Sequence, residues 1–199
     1  MAGVPTAADP IEMRKAVQMG ALLKGEGRLR DGVLIQVCAG MGLRIQDCLN
    51  LNWEKVLDDR GEPRSSVTLV EEKTGHSRLI VLFPFVRDAL QELRAATGSR
   101  NPSGYVFDNG KGAPITRQYA WQLIRKAAEG IGLRAHVSPH SLRKAFCTLI
   151  YEQTRDPVLT ASITGHRNPV QLMAYIGLPA QAAEDVWHKA TLVVGKFGR

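Results

Sequence analysis

The sequence predicts a mainly α-helical domain with one small antiparallel β-sheet, an α+β class. Three observations carry that expectation. Apolar residues recur at helical spacing through most of the 199-residue chain. Four pairs, Asp9-Pro10, Ser138-Pro139, Asp156-Pro157 and Asn168-Pro169, place a capping side chain before a proline suited to the first helical position. Only the stretch 66–83 breaks the helical period, with Val, Leu and Ile clustered on either side of a glycine-bearing turn. A composition of 44% hydrophobic and 23% charged residues suits a packed core and excludes disordered, collagenous and low-complexity classes.

The elements follow in order. Asp9-Pro10 opens a helix reaching about residue 24. Val33, Leu34, Val37 and Cys38 mark a second helix, which Gly40 and Gly42 interrupt. A third begins near Leu43, with Ile45, Cys48 and Leu49 on one face. Two strands at 66–72 and 77–83 flank the turn Lys73-Thr74-Gly75-His76 and form a hairpin. Pro84 starts a helix to about residue 97, followed by a loop at 98–112 with a short strand at Tyr105-Val106-Phe107. Thr116 caps a helix whose apolar stripe is Tyr119, Leu123, Ile124 and Ala127. Ser138-Pro139 starts another, with Leu142, Phe146, Leu149 and Ile150 facing the core. Two shorter helices begin at Asp156-Pro157 and Asn168-Pro169, and a last one spans 180–192. No repeat or linker divides the chain.

Three cysteines, Cys38, Cys48 and Cys147, lack metal-ligand spacing and are odd in number, which fits a reducing compartment and no structural zinc. No apolar run approaches the ~20 residues that span a bilayer, and the first ten residues carry no apolar signal core. The expectation is a soluble, cytoplasmic protein. Lys and Arg number 26 against 19 Asp and Glu, a net charge of +7. The excess is concentrated: residues 111–167 hold nine basic side chains against three acidic ones, and the remainder holds 17 against 16. A basic stretch of this kind points to an anionic partner, nucleic acid first.

That stretch contains Ser138-Pro139-His140-Ser141-Leu142-Arg143. His140 and Arg143 share a helix face in the first turns, where backbone N–H groups and the helix dipole favour an anion. Arg grips two phosphate oxygens at once. Taken singly, the pair equally fits an exposed Arg beside a surface His. Arg44 and Asp47 are also i, i+3 neighbours, which alone is the pattern of a surface ion pair. Lys73 sits in the hairpin turn, a mobile cation able to donate a proton across a cleft. His166 follows Thr164-Gly165, and Tyr175 lies nine residues beyond it.

In this order and on these elements, the six polar positions resemble the catalytic domain of the tyrosine recombinase (phage integrase) family, over roughly residues 9–190. The resemblance implies that family's helical catalytic-domain fold and a site-specific DNA recombinase, a strand transferase that cleaves and rejoins DNA through a 3′-phosphotyrosyl intermediate. It implies integration, excision, inversion or resolution as the outcome, with no metal and no other cofactor. By position, Arg44 and Arg143 correspond to the phosphate-holding arginines, Lys73 to the hairpin lysine and His140 to the His of His-x-x-Arg. His166 corresponds to the second His and Tyr175 to the nucleophile, with Asp47 in support.

The residue types fit that chemistry. A phenol with an ordinary pKa of about 10 needs a proton acceptor as it attacks, and His140 is the candidate. Spreading negative charge needs fixed donors, and the departing 5′-oxygen needs a proton, from Lys73. His166 would hydrogen-bond a phosphate oxygen or position its neighbours. Two departures are small: Asp47 stands where the family often has Glu, and Thr164 where it more often has Leu, a change expected to matter little. A larger one is upstream. Residues 1–8 are expected to form a flexible start, with no N-terminal clamp domain of the kind many members carry ahead of residues 9–190.

The resemblance also implies double-stranded DNA as partner. On the helix from Thr116, Gln118, Gln122 and Arg125 are candidates for reading base edges, while Lys111, Arg117 and Lys144 are candidates for phosphate contacts. Residues 191–199 form an apolar tail that either packs on its own core or is exchanged between protomers of a dimer or tetramer on DNA. A bacterial, phage or mobile-element origin is expected. The competing readings are a type IB topoisomerase-like nicking-closing enzyme and a non-catalytic DNA-binding accessory protein.

Overall fold

The structure is a computed structural model that describes residues 11–70, 75, 77–98, 101–134 and 136–177. The Asp9-Pro10 helix start, Lys73 and its neighbours in the turn, the helix at 180–192 and the tail at 191–199 lie outside the described residues.

The described chain is helical around one hairpin, in the order α1 (Met13–Gly25), α2 (Leu29–Met41), α3 (Ile45–Leu49), α4 (Trp53–Val56), β1 (Ser66–Val70), β2 (Ser77–Val81), α5 (Pro84–Thr97), α6 (Arg117–Gly130), α7 (Pro139–Thr154), α8 (Pro157–Thr164) and α9 (Pro169–Ile176). Three of the four proline pairs mark helix starts as expected: α7 begins at Pro139, Asp156 Oδ1 accepts from the Val158 and Leu159 N–H groups, and Asn168 Oδ1 accepts from Val170 N–H. The first pair does not, because Ile11 and Glu12 are not helical and Glu12, in extended conformation, is the residue before α1. Thr116 Oγ1 caps α6 through the Tyr119 N–H.

The organising element is α2. Every residue from Asp31 to Met41 is buried, so it has no polar face and packs against α1, α5 and α7. Its one buried carboxylate, Asp31, is satisfied by Arg28, Arg30 and the Tyr119 hydroxyl, which ties α2 to α6. Gly40 does not interrupt the helix. It lies inside α2 where a Cβ would fall 2.3 Å from Val86, so it is a close-packing glycine against α5. The real break is Gly42, at φ +59.

The hairpin pairs antiparallel with Ser66 opposite Val81 and Val70 opposite Ser77. Val67, Leu69 and Ile80 point inward, and so does Arg78. The expected strand at 105–107 is reduced to a single bridge between Asn52 and Tyr105, because the segment meets only short, irregular stretches: the turn at Leu51–Trp53 and, through the Phe107 carbonyl, Ile115. On α7 the buried residues are Ser141, Leu142, Arg143, Ala145, Phe146 and Cys147, while Leu149 and Ile150 are only half-buried. The buried stripe lies toward the N-terminal half because α2 and α8 both cover it there.

One large core joins α1–α7 and the hairpin. The α8–α9 end closes over a small separate cluster, Cys147, Ala161, Leu172 and Ile176, with Tyr175 packed against it. All three cysteines are free and buried; Cys38 and Cys48, distant in sequence, meet at 2.9 Å between sulfurs. No helix among the described residues is long and apolar enough to cross a membrane.

Candidate active site

A cleft of about 510 Å³ opens where the exit of α2 meets the starts of α3, α6 and α7. Arg44, Asp47, Arg117, His140 and Arg143 all line it. Residues as far apart in sequence as Arg44 and Arg143 are thus brought to one wall, and the local sequence explains how.

Gly42 reverses the chain in the left-handed conformation, and a Cβ there would sit 2.2 Å from the Phe146 ring. The tight turn delivers Arg44 as the residue before α3, half-buried, with Asp47 one turn on. His140 is the second residue of α7, after Pro139, where Ser141 Oγ accepts the Ser138 N–H and closes the start of the helix. Its imidazole is exposed at the cleft mouth. Partial loss of solvation, then the charges of Arg143, Arg117 and Arg44, push its pKa below the ordinary 6.5. His140 is therefore held in the neutral, proton-accepting form near pH 7.

Arg143 is not an exposed partner. It is only 4% exposed, and its Nη1 donates to Gly42 O at 2.7 Å and its Nη2 to Thr164 O at 3.0 Å. Both acceptors are carbonyls at helix C-termini, those of α2 and α8, which lack partners within their own helices. These two bonds fix the guanidinium plane at the cleft wall.

His166 follows the left-handed Gly165 that ends α8. Its ring packs at 5.6 Å, centroid to centroid, from Tyr175. Tyr175 lies on the last turn of α9, half-buried, and its hydroxyl donates to the His140 carbonyl at 3.0 Å. Burial, reinforced by Cys147 and opposed by the charges of Arg143 and Arg44, pushes its pKa up to about 12. The phenol thus sits beside the His140, Arg143 and His166 of its own chain, protonated at neutral pH. Lys73, the sixth position, lies outside the described residues, although both strands that carry its turn are placed.

Gln118, Gln122 and Arg125 lie exposed along one side of α6, at i, i+4, i+7 spacing. Arg125 also has partners within its own helix, Glu129 at 3.1 Å and the Trp121 ring at 5.7 Å. Lys111 is exposed in the loop before α6, and Lys144 is half-buried on α7. Arg117 stands at the α6 start on the cleft itself.

Two site-building residues escape a reading of the sequence. Arg78 is buried on β2 and donates to Ile163 O at 3.0 Å and Met41 O at 3.4 Å, the carbonyls next to those held by Arg143. A charge at an inward position of an alternating strand was the available signal. Thr164, where little consequence was expected, is fully buried and touches His166, Cys147 and Arg143.

The phage integrase family model matches residues 13–181. Over 165 residues the chain is 30% identical to tyrosine recombinase XerD of Corynebacterium glutamicum, covering 81% of this chain and 53% of that protein. It is 30% identical over 167 residues to XerD of Mycobacterium tuberculosis, covering 80% and 51%. The chain spans about half the length of the curated relatives it matches. Among solved structures, XerA recombinase aligns with a TM-score of 0.73 at 19% identity, over 94% of this chain and 66% of that one. XerH site-specific recombinase in its post-cleavage complex with palindromic difH substrate aligns with a TM-score of 0.71 at 21% identity, over 91% and 53%.

Proposed function

The chain belongs to the phage integrase family of tyrosine recombinases, and from that premise we propose that it is the strand-transfer domain of a site-specific DNA recombinase. The observation that carries the reading is the convergence of a half-buried tyrosine with His140, Arg143 and His166 beside a cleft that also presents Arg44 and Arg117. A binding module has no use for a tyrosine so placed.

In the proposed reaction, Tyr175 Oη attacks the scissile phosphorus and passes its proton to His140. The bond from phosphorus to the 5′-oxygen breaks, and Lys73 protonates the departing 5′-hydroxyl. Arg44 and Arg143 hold the phosphoryl oxygens as charge spreads over them. His166 hydrogen-bonds the same group, and Asp47 supports Arg44. The phosphotyrosyl bond keeps the energy of the broken one, so a second 5′-hydroxyl reverses the step without a nucleotide cofactor or metal. On duplex DNA, Gln118, Gln122 and Arg125 face base edges, while Lys111, Arg117 and Lys144 meet phosphates.

Assembly into a dimer or tetramer on DNA belongs to the same reading. Val158, Leu159, Ile163 and Val170 are exposed on α8 and α9, an apolar surface suited to a neighbouring copy. A cytoplasmic setting in a bacterium, phage or mobile element completes it.

The test is a suicide DNA substrate nicked beside the cleavage position. The expected product is a covalent protein–DNA adduct that survives denaturation, forms in EDTA and is absent in Tyr175→Phe. An adduct on another residue, or a requirement for divalent metal, overturns the assignment. Relaxation of supercoiled DNA at any sequence, with no exchange between two sites, would instead identify a nicking-closing enzyme.

A further inference from the structure

The hydroxyl of Thr164 has three neighbours. It donates to the Thr160 carbonyl at 2.8 Å, one turn back in α8. It lies 2.7 Å from His166 Nδ1 and is hydrogen-bonded to the Cys147 thiol. A hydroxyl has one proton and two acceptor lone pairs. With its proton spent on Thr160 O, it can only accept from His166, so Nδ1 carries the hydrogen of that bond. Cys147, whose thiol pKa burial pushes up to about 11, is the third neighbour.

The hydroxyl is also rigidly held. Thr164 and Thr160 are both fully buried, the Thr164 carbonyl accepts from Arg143 Nη2 at 3.0 Å, and Thr160 Oγ1 in turn donates to Asp156 O at 2.7 Å. The residue before Gly165 thus links two groups of the site, its backbone orienting Arg143 and its side chain orienting His166.

We propose that Thr164 is a positioning residue for the strand-transfer reaction: its hydroxyl accepts the His166 Nδ1–H and leaves Nε2 as the basic nitrogen for the substrate, where the ring takes up a proton from solvent and, as imidazolium, donates Nε2–H to a phosphate oxygen. The role in the reaction rests on the recombinase reading; the tautomer does not. A ring whose second nitrogen is fixed by a buried partner keeps one orientation, with its other nitrogen left to the substrate.

Two measurements separate these parts. In the DNA-free protein at about pH 8.5, two units above the ordinary imidazole pKa of ~6.5, long-range ¹⁵N–¹H NMR reads the tautomer of His166 directly. The expected result is Nδ1–H in the wild type and in Thr164→Ser, and the Nε2–H form in Thr164→Val, which keeps the side-chain shape. Single-turnover cleavage of the nicked substrate should fall roughly tenfold in Thr164→Val, the worth of one oriented hydrogen bond at a reacting group, and recover to within about threefold in Thr164→Ser. An Nε2–H tautomer in the wild type overturns the proposal. So does a folded Thr164→Val protein that cleaves like wild type. If the tautomer changes as expected but the wild type forms no adduct, the hydrogen bond stands and the recombinase reading, with the catalytic role built on it, falls.

Discussion

Replacing Arg78 with Met tests whether the second buried arginine holds the site together. Arg78 is 6% exposed and donates to Ile163 O at 3.0 Å and to Met41 O at 3.4 Å. Hydrogen bonds from a charged donor contribute ~1.5–3 kcal/mol each, but the 3.4 Å contact is at the edge of useful geometry and adds a fraction of that. Met fills the aliphatic volume and spares the cost of burying a guanidinium, which offsets part of the loss. The net expectation is about 2 kcal/mol of destabilisation. For a chain of this size that lowers the melting temperature by roughly 4–8 °C, at ~2–4 °C per kcal/mol. Thermal unfolding measures the total, and amide hydrogen exchange locates it. Protection should fall most at the C-terminal turn of α8, which delivers Thr164 and His166. A melting temperature within about a degree of wild type, or protection lost evenly over all helices, would refute the claim that Arg78 clamps the ends of α2 and α8.

Two further outcomes follow from the cleft. Arg117 is one of the three cations that depress the His140 pKa. Cleavage that uses neutral His140 as base is lost as pH falls through that pKa, so Arg117→Ala should move the acid limb of the cleavage rate at subsaturating DNA, which reads the DNA-free protein, to higher pH; a limb that stays put argues against His140 as the base. Gly42→Ala combines a left-handed φ of +59 with a Cβ 2.2 Å from the Phe146 ring, and should cost about 2–4 kcal/mol in urea unfolding, the sum of backbone strain and overpacking.

The helix plan was legible because its punctuation is chemical. Asp156-Pro157 and Asn168-Pro169 each supply a side-chain acceptor and a preset φ, and both cap as read. Thr116 supplies the acceptor alone for α6, and Pro84 the preset φ alone for α5. Gly40 misled because a glycine in a helical pattern has two meanings, a break or a close approach. Only the position of Phe85 and Val86, more than forty residues on, decides between them. The segment at 105–107 misled because β-rich residues need a partner strand, and only isolated bonds to Leu51 and Ile115 were at hand. At the site, residue types and spacing named Arg44, His140, Arg143, His166 and Tyr175 as a set, and the fold brings them to one place. Spacing could not show that Arg143 is buried, since that depends on the carbonyls of Gly42 and Thr164 meeting it from two other helices. The roles of Arg78 and Thr164 were hidden for the same reason: each acts on groups supplied by distant elements.

The resting state of the tyrosine bears on how the proposed reaction is kept off until DNA arrives. With a pKa of about 12, and its hydroxyl bonded to the His140 carbonyl rather than to an imidazole, Tyr175 is neither ionised nor in contact with a base. Its helix is anchored mainly by Leu172 and Ile176 in a cluster separate from the main core, so moving the phenol off that carbonyl costs far less than disturbing α2 or α7. The cations explain the other half. Arg143 and Arg44 favour ionisation of Tyr175 and, with Arg117, disfavour protonation of His140. A phosphodiester bound between them neutralises both influences. The His140 pKa then rises and the imidazole becomes a stronger base, while the tyrosine loses its help toward the phenolate and depends on that base all the more. In the proposed reaction, substrate binding thus strengthens His140 as a base at the step that needs one, and without a phosphate in the cleft the same arginines leave His140 neutral but weakly basic and Tyr175 un-ionised.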